Sequence, residues 1–312
     1  MKKVVACVAV AFVATLLISC GGGKKKPTPP KTAVGAAKAV VDGLQKNKPV
    51  VLWDALPASY QKDLDEILHA AVAKADPELW NAGWDLFAKL VTIAKTKKQM
   101  ILEHPALAKN QKAVKMDELK KNWDVVVDLL DSVAKCELGK FEKAKTMSVG
   151  DVMATTGAEL MAKMQKLSQV IPPEKLKDDP WKMLKTVKIT PLKAEGDTAK
   201  IKIEAGGEPA KEFEFIKTEG KWIPMELRAF WKREVAELKK KVTDMPKPDV
   251  KKNEQMVGMM KALGNALQTV IDSKTQKEFD TGLQQVMATV GGMGGGGMPP
   301  GGGMPPPTPA PK

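Results

Sequence analysis

Histidine, arginine, tyrosine and cysteine are all scarce in this chain of 312 residues, and each scarcity excludes something. The two histidines, His69 and His104, share no metal-ligand spacing with each other or with Cys136, so the residues offer no metal site. Only Arg228 and Arg233 carry the planar fork that reads guanine and grips phosphate; every other basic residue is lysine. A net charge of +13 therefore does not imply specific nucleic-acid recognition. Lysine spread along helices suits a solvated face, or attraction to anionic headgroups and wall polymers. The glycines from Gly292 to Gly297 follow no strand and open no helix, which excludes a phosphate loop. Ser148, in Met147-Ser148-Val149-Gly150, lacks the first glycine of a nucleophile elbow and reads as a helix cap. No cofactor is expected.

What is present begins at the first residues. Lys2 and Lys3 precede an apolar run, Val4 to Ile18, that is too short for a comfortable transmembrane helix. It ends in Leu17-Ile18-Ser19-Cys20 and three glycines. This order resembles the secretory signal and lipobox of bacterial lipoproteins. The resemblance implies a signal peptide over 1–19, and Cys20 as the first mature residue, bearing a diacylglyceryl thioether and an N-acyl chain. Several such chains, at about 0.8 kcal/mol per buried CH₂, make release from a bilayer negligible. An ordinary secretory signal cleaved elsewhere, or an uncleaved anchor, is the alternative. Gly21 is not the aspartate typical of inner-membrane retention, so the resemblance favours a cell-envelope location at the outer membrane. Cys7 leaves with the leader and Cys20 is lipidated. Cys136 then stands alone, no intramolecular disulfide forms, and a small buried apolar role is expected for it.

Residues 20–31 (Gly21 to Lys31 reads GGGKKKPTPPK) form a tether, with Lys24 to Lys26 placed to meet lipid phosphates. Residues 291–312 collapse to glycine, proline and methionine, a composition that cannot offset its ordering entropy, so a disordered tail is expected. Met293, Met298 and Met304 lack the histidine or cysteine that would complete a copper site.

Between these ends, residues 32–290 read as a helical body. Val34, Ala37, Val41 and Leu44 form one stripe; Tyr60, Leu64, Ile67, Leu68 and Ala71 form another. Asp76-Pro77-Glu78 supplies a cap, a proline at the first helical position and an acidic first turn. The helix it starts carries Trp80, Trp84, Phe87, Val91 and Ala94. Later stripes carry Trp123 to Ala134, Val152 to Leu167, Leu227 to Val242, Met256 to Ile271 and Phe279 to Val290. Pro172-Pro173 ends the second of these. Between 186 and 225 the period falls to two, with turns at Glu195-Gly196-Asp197, Gly206-Gly207 and Glu219-Gly220. The expected fold is α+β, predominantly helical, with a three- to four-stranded antiparallel meander that helices cover, since so small a sheet is not stable alone.

The "WDALPASYQKDLDEI" segment and the "GDTAKIKIEAGGEPAKEFEFIKTEGKWIPM" meander resemble bacterial lipoproteins of the nuclear-transport-factor-like, cone-shaped α+β superfamily. The resemblance implies a curved sheet closed by N-terminal helices. Its enzymes place Asp, His or Tyr in the cone, and no residue here takes such a role.

Carboxylates are the remaining candidates for chemistry. Asp124, Asp128 and Asp131 recur at i, i+4 and i+7, a spacing able to hold a cation or do acid–base work; a solvent-facing strip neutralised by lysines is the other reading. Asp63, Asp65 and Glu66 read in the same way. His69, four residues after Asp65, and His104, before Pro105, suit surface or cap roles. The Trp80, Trp84 and Phe87 stripe suits a core face, with glycan stacking as its functional alternative. Two functions stay open. One is a non-catalytic, lipid-anchored envelope module whose helical body packs against an envelope protein or wall polymer. It would use a methionine-lined groove at Met256, Met259 and Met260. The other is a hydrolase or ligand-binding enzyme with a pocket in the α+β part.

Overall fold

A computed structural model describes residues 28–105, 116–170, 179–246 and 249–294. The lipobox with Cys20, the tether up to residue 27, Pro172-Pro173 and the tail from 295 lie outside the described residues.

Side-chain caps set several helix starts. Asp76, Ser148 and Asp249 accept hydrogen bonds from the amides of Leu79 (2.9 Å), Asp151 (3.0 Å) and Lys252 (3.2 Å), each three residues on. The described helices, in chain order, begin with α1 (Ala33–Gln45), α2 (Val50–Ala55), α3 (Ala58–Ala73), α4 (Pro77–Thr96), α5 (Lys98–Glu103), α6 (Met116–Ala134) and the single turn α7 (Phe141–Ala144). Helix α8 spans 149–170 with a π segment at Met153–Gly157, and the short α9 is Pro180–Lys185. After the sheet, α10 spans 225–244 with a second π segment at Trp231–Val235. Last come α11 (Val250–Asp272) and α12 (Gln276–Gly294), so helix continues four residues past 290 into the segment expected as tail.

The meander is one antiparallel sheet in the order β1 (Lys188–Glu195), β2 (Thr198–Glu204), β3 (Lys211–Thr218) and β4 (Lys221–Pro224). Its register pairs Ala199 with Phe215 and Ile201 with Phe213, which stacks the apolar residues on one face. Ala33 and Ala36 of α1 bury that face together with Ile201, Phe215 and Trp222. The buried stripe of α1 is rotated one residue from the expected one, and Val34 and Ala37 only flank it. Small methyl groups let the helix approach the bulky Phe215 and Trp222; the branched Val34 would hold it off. Trp222 Nε1 also donates to Lys31 O at 3.0 Å and so pins the chain just before α1.

Strand β4 is buried on both sides. Trp222 faces α1, whereas its neighbour Ile223 joins Trp53, Leu56, Tyr60, Leu64, Val149, Met153, Trp231 and Val235 on the other. This second cluster unites α2, α3, α8 and α10 with the sheet. Strand β1, the opposite edge, is solvated; Pro191 and a register break before Lys193 discourage further strand pairing. A third cluster, Ile93, Leu267, Val270 and Phe279, holds α4, α11 and α12 together. Val72, Phe141 and Ala144 form a fourth beneath Trp80.

Both π segments feed the second cluster, through Met153 on one side and through Trp231 and Val235 on the other. Tyr60 stacks on Trp231 with centroids 4.2 Å apart and planes 7° from parallel. Gly150 is required where α8 crosses Trp53: a Cβ there would lie 2.3 Å from the indole Nε1. Gly150→Ala should therefore cost about 1–3 kcal/mol, because the buried indole must shift. Chemical denaturation checks this, and a loss within error would mean that Trp53 has room to move.

Candidate binding surface

Most side chains able to do chemistry are committed to holding elements together. Asp65 Oδ1 accepts from Val149 N at 2.7 Å, and His69 Nε2 lies 2.9 Å from Met147 O. Both sit on α3 and fix the segment that starts α8, where Ser148 adds its own cap. Asp63, expected as part of a solvated strip, is instead an anchor. Its Oδ2 accepts from Trp231 Nε1 at 2.8 Å and its Oδ1 from Lys239 Nζ at 2.5 Å, while Lys239 also reaches Glu66 at 2.7 Å. The strip reading failed because α10 returns across α3 from far along the chain.

Burial raises the pKa of Asp65, outweighing the hydrogen bond from Val149 and the nearby His69; Asp151, across on α8, adds to the rise. The fold thus favours the ionised form less than the unfolded chain does. The sign follows: this carboxyl stabilises the fold fully below its ordinary value of 3.8, and that contribution is lost as pH rises through its raised folded pKa. Asp65→Asn keeps an acceptor for Val149 N without the charge. It should be no less stable than the parent at pH 7, and its relative stability should rise with pH across that window. Asp65→Ala, which orphans the amide, should cost about 1–2 kcal/mol. Urea titrations at several pH values check both, and an Asn variant as destabilised as the Ala one would refute the assignment.

The Asp124, Asp128 and Asp131 strip is zipped to neighbouring helices by lysines. Asp124 meets Lys98 at 2.9 Å, Asp131 meets Lys95 at 2.9 Å and Lys135 at 2.7 Å, and Asp128 lies 4.0 Å from Lys163. Burial alone would raise the pKa of Asp131, but the hydrogen bonds from Lys135 and Lys95 outweigh it and hold it below the ordinary value. Lys163, with help from Ser132, likewise lowers Glu159. Among the described residues no group of three His, Cys, Asp or Glu side chains is placed to hold a metal ion.

The aromatic stripe of α4 is half-buried against neighbouring elements. Trp80 Nε1 donates to Leu138 O at 3.0 Å and the ring meets Phe141 edge-on, while Trp84 lies against Gly139 and Phe87. Cys136 is buried. His104 lies beside Phe279, with Nε2 3.8 Å from Asp280 Oδ1.

A shallow groove of about 410 Å³ runs between α4 and α11, lined by Glu78, Asn81, Ala82, Asp85, Met260 and Lys261. Met260 is the methionine of the expected trio that lines it; Met256 is exposed one turn away, because Val257, not Met256, turns into the core. Its charges are already matched: Glu78 pairs with Lys261 at 3.3 Å and Asp85 with Lys89 at 2.8 Å. The hydrophobic pattern flagged these methionines, but Asn81 and Ala82 carried no signal. Among the described residues no helix is long and apolar enough to cross a membrane. No protein-family model matches the chain, and neither a curated protein nor a solved structure matches it.

Proposed function

We propose that this chain is a lipid-anchored protein of the cell envelope, held through Cys20 at the outer membrane, whose helical body is a non-catalytic binding module for an envelope protein. The observation that carries the reading is the closure of the sheet: α1 fills the apolar face where a cone-shaped enzyme would keep its pocket. The carboxylates and histidine singled out for chemistry support it further, since Asp65, His69, Asp124 and Asp131 each hold a backbone group or a lysine. The open groove between α4 and α11 offers a methionine, a small side chain and paired charges, a surface that adapts to a protein partner.

A photo-crosslinking residue at Asn81 or Lys261, expressed in the native envelope, should capture one reproducible partner. The same residue at Thr190 on the solvated edge strand should not. Absence of a reproducible adduct at the groove positions, or the same adducts at Thr190, would overturn the proposal.

A further inference from the structure

Four segments distant in sequence converge on one corner of the body. Gln45, the last residue of α1, donates from Nε2 to Leu184 O of α9 at 2.7 Å. Asn47, just beyond α1, donates from Nδ2 to Gln165 Oε1 of α8 at 2.8 Å. Thr186 Oγ1 accepts from Gly206 N at 2.8 Å, which brings in the start of β1 and the β2–β3 turn.

Each of these ties stands beside a lysine. Lys46, Lys48, Lys166, Lys182, Lys185 and Lys188 are all exposed. None is paired with a carboxylate among the described residues, in contrast to Lys95, Lys98, Lys163 and Lys239 elsewhere. Among the described residues, the acidic groups of the corner are few. Asp42 lies one turn before Lys46, Asp179 is occupied by Trp181 N, Glu204 is matched by Lys202, and Glu208 sits in the turn.

The chemistry of the corner selects its ligand. A compact phosphate seeks free N–H groups at a helix N-terminus, but the corner holds the C-terminal end of α1, and at the start of the short α9 Trp181 N is already taken by Asp179. Lysine ammonium groups spread over an open surface suit many separate anions on a facing plane. Apolar groups are interleaved with them: Met164 is 52% exposed beside Gln165, and the half-buried Trp181 adjoins Lys182. A lipid interface accommodates such groups, and a hydrated polymer does not.

We infer that this corner docks on an anionic phospholipid surface and orients the body against the membrane. The inference rests on the envelope reading only in that the Cys20 anchor supplies the membrane. Each lysine near an anionic leaflet strengthens partitioning about five-fold, so K166E, K182E and K185E together should weaken it by more than 100-fold.

The test uses the full, processed chain in vesicles of phosphatidylcholine alone or mixed equally with phosphatidylglycerol, with amine acylation at each lysine read by mass spectrometry. The six corner lysines should react several-fold more slowly on the anionic vesicles, and high salt should abolish the difference. Lys232 and Lys251 should react alike on both. In the triple variant, with circular dichroism verifying its fold, Lys46, Lys48 and Lys188 should lose their protection. Equal corner rates on the two vesicles overturn the inference. So does protection by soluble polyphosphate without protection by anionic vesicles, which would assign the corner to a soluble polyanion. The mass of Cys20 from the same samples separates the two ideas: a protected corner with an unmodified Cys20 sinks the anchor, and a lipidated Cys20 with an unprotected corner sinks the docking face.

Discussion

Trp231→Ala should lower stability by about 3–5 kcal/mol, the range for truncating a buried aromatic residue. Trp231 is only 5% exposed and does three things at once. It fills the cluster around Trp53 and Ile223, it stacks on Tyr60, and its indole N–H binds Asp63. Trp231→Phe separates these effects, because it keeps most of the packing and loses the hydrogen bond. That variant should cost about 1.5 kcal/mol, at the low end for a bond to a charged group, since Asp63 is partly solvated. Equal losses for the two variants, measured by urea denaturation, would mean that the hydrogen bond and not the packing holds α10 in place.

Phe279→Ala should act differently in kind. Phe279 is 1% exposed and seats α12 against Ile93, Leu267 and Val270. Its removal should cost about 3–5 kcal/mol of local packing. Because α12 packs on α4 and α11 and not on the sheet, the loss should appear as local opening. Hydrogen exchange should accelerate across 276–294, while the amides of β2 and β3 keep their protection. Uniform acceleration through the sheet would instead make α12 part of one cooperative unit with it.

The elements set by local chemistry were legible in the sequence, and the contacts set by distant returns of the chain were not. Asp76, Ser148 and Asp249 announced their helices because a cap needs only three residues of context. The alternation from Ile189 to Trp222 announced the meander. Asp63 carried no such signal, since its partners Trp231 and Lys239 lie more than 160 residues away. The π segments were equally hidden: they bring Met153 and Trp231 into one cluster and leave no mark in periodicity. Helices α2 and α5 were too short to show a stripe. For the candidate surface, the methionine pattern led to Met260, but the shape of the groove depends on how α4 and α11 pair. The basic corner was dispersed over 46–48, 166 and 182–188, and its parts meet through long-range bonds such as those of Gln45 and Asn47.

We propose that a membrane anchor at Cys20 carries a binding body. Intact mass and N-terminal lipid analysis of the protein recovered from membranes of the cells that make it tests this anchor. The expected result is a chain that begins at Cys20 and bears a diacylglyceryl thioether, with residues 1–19 absent. A chain that begins at any other residue, or a Cys20 with an unmodified thiol, would contradict it.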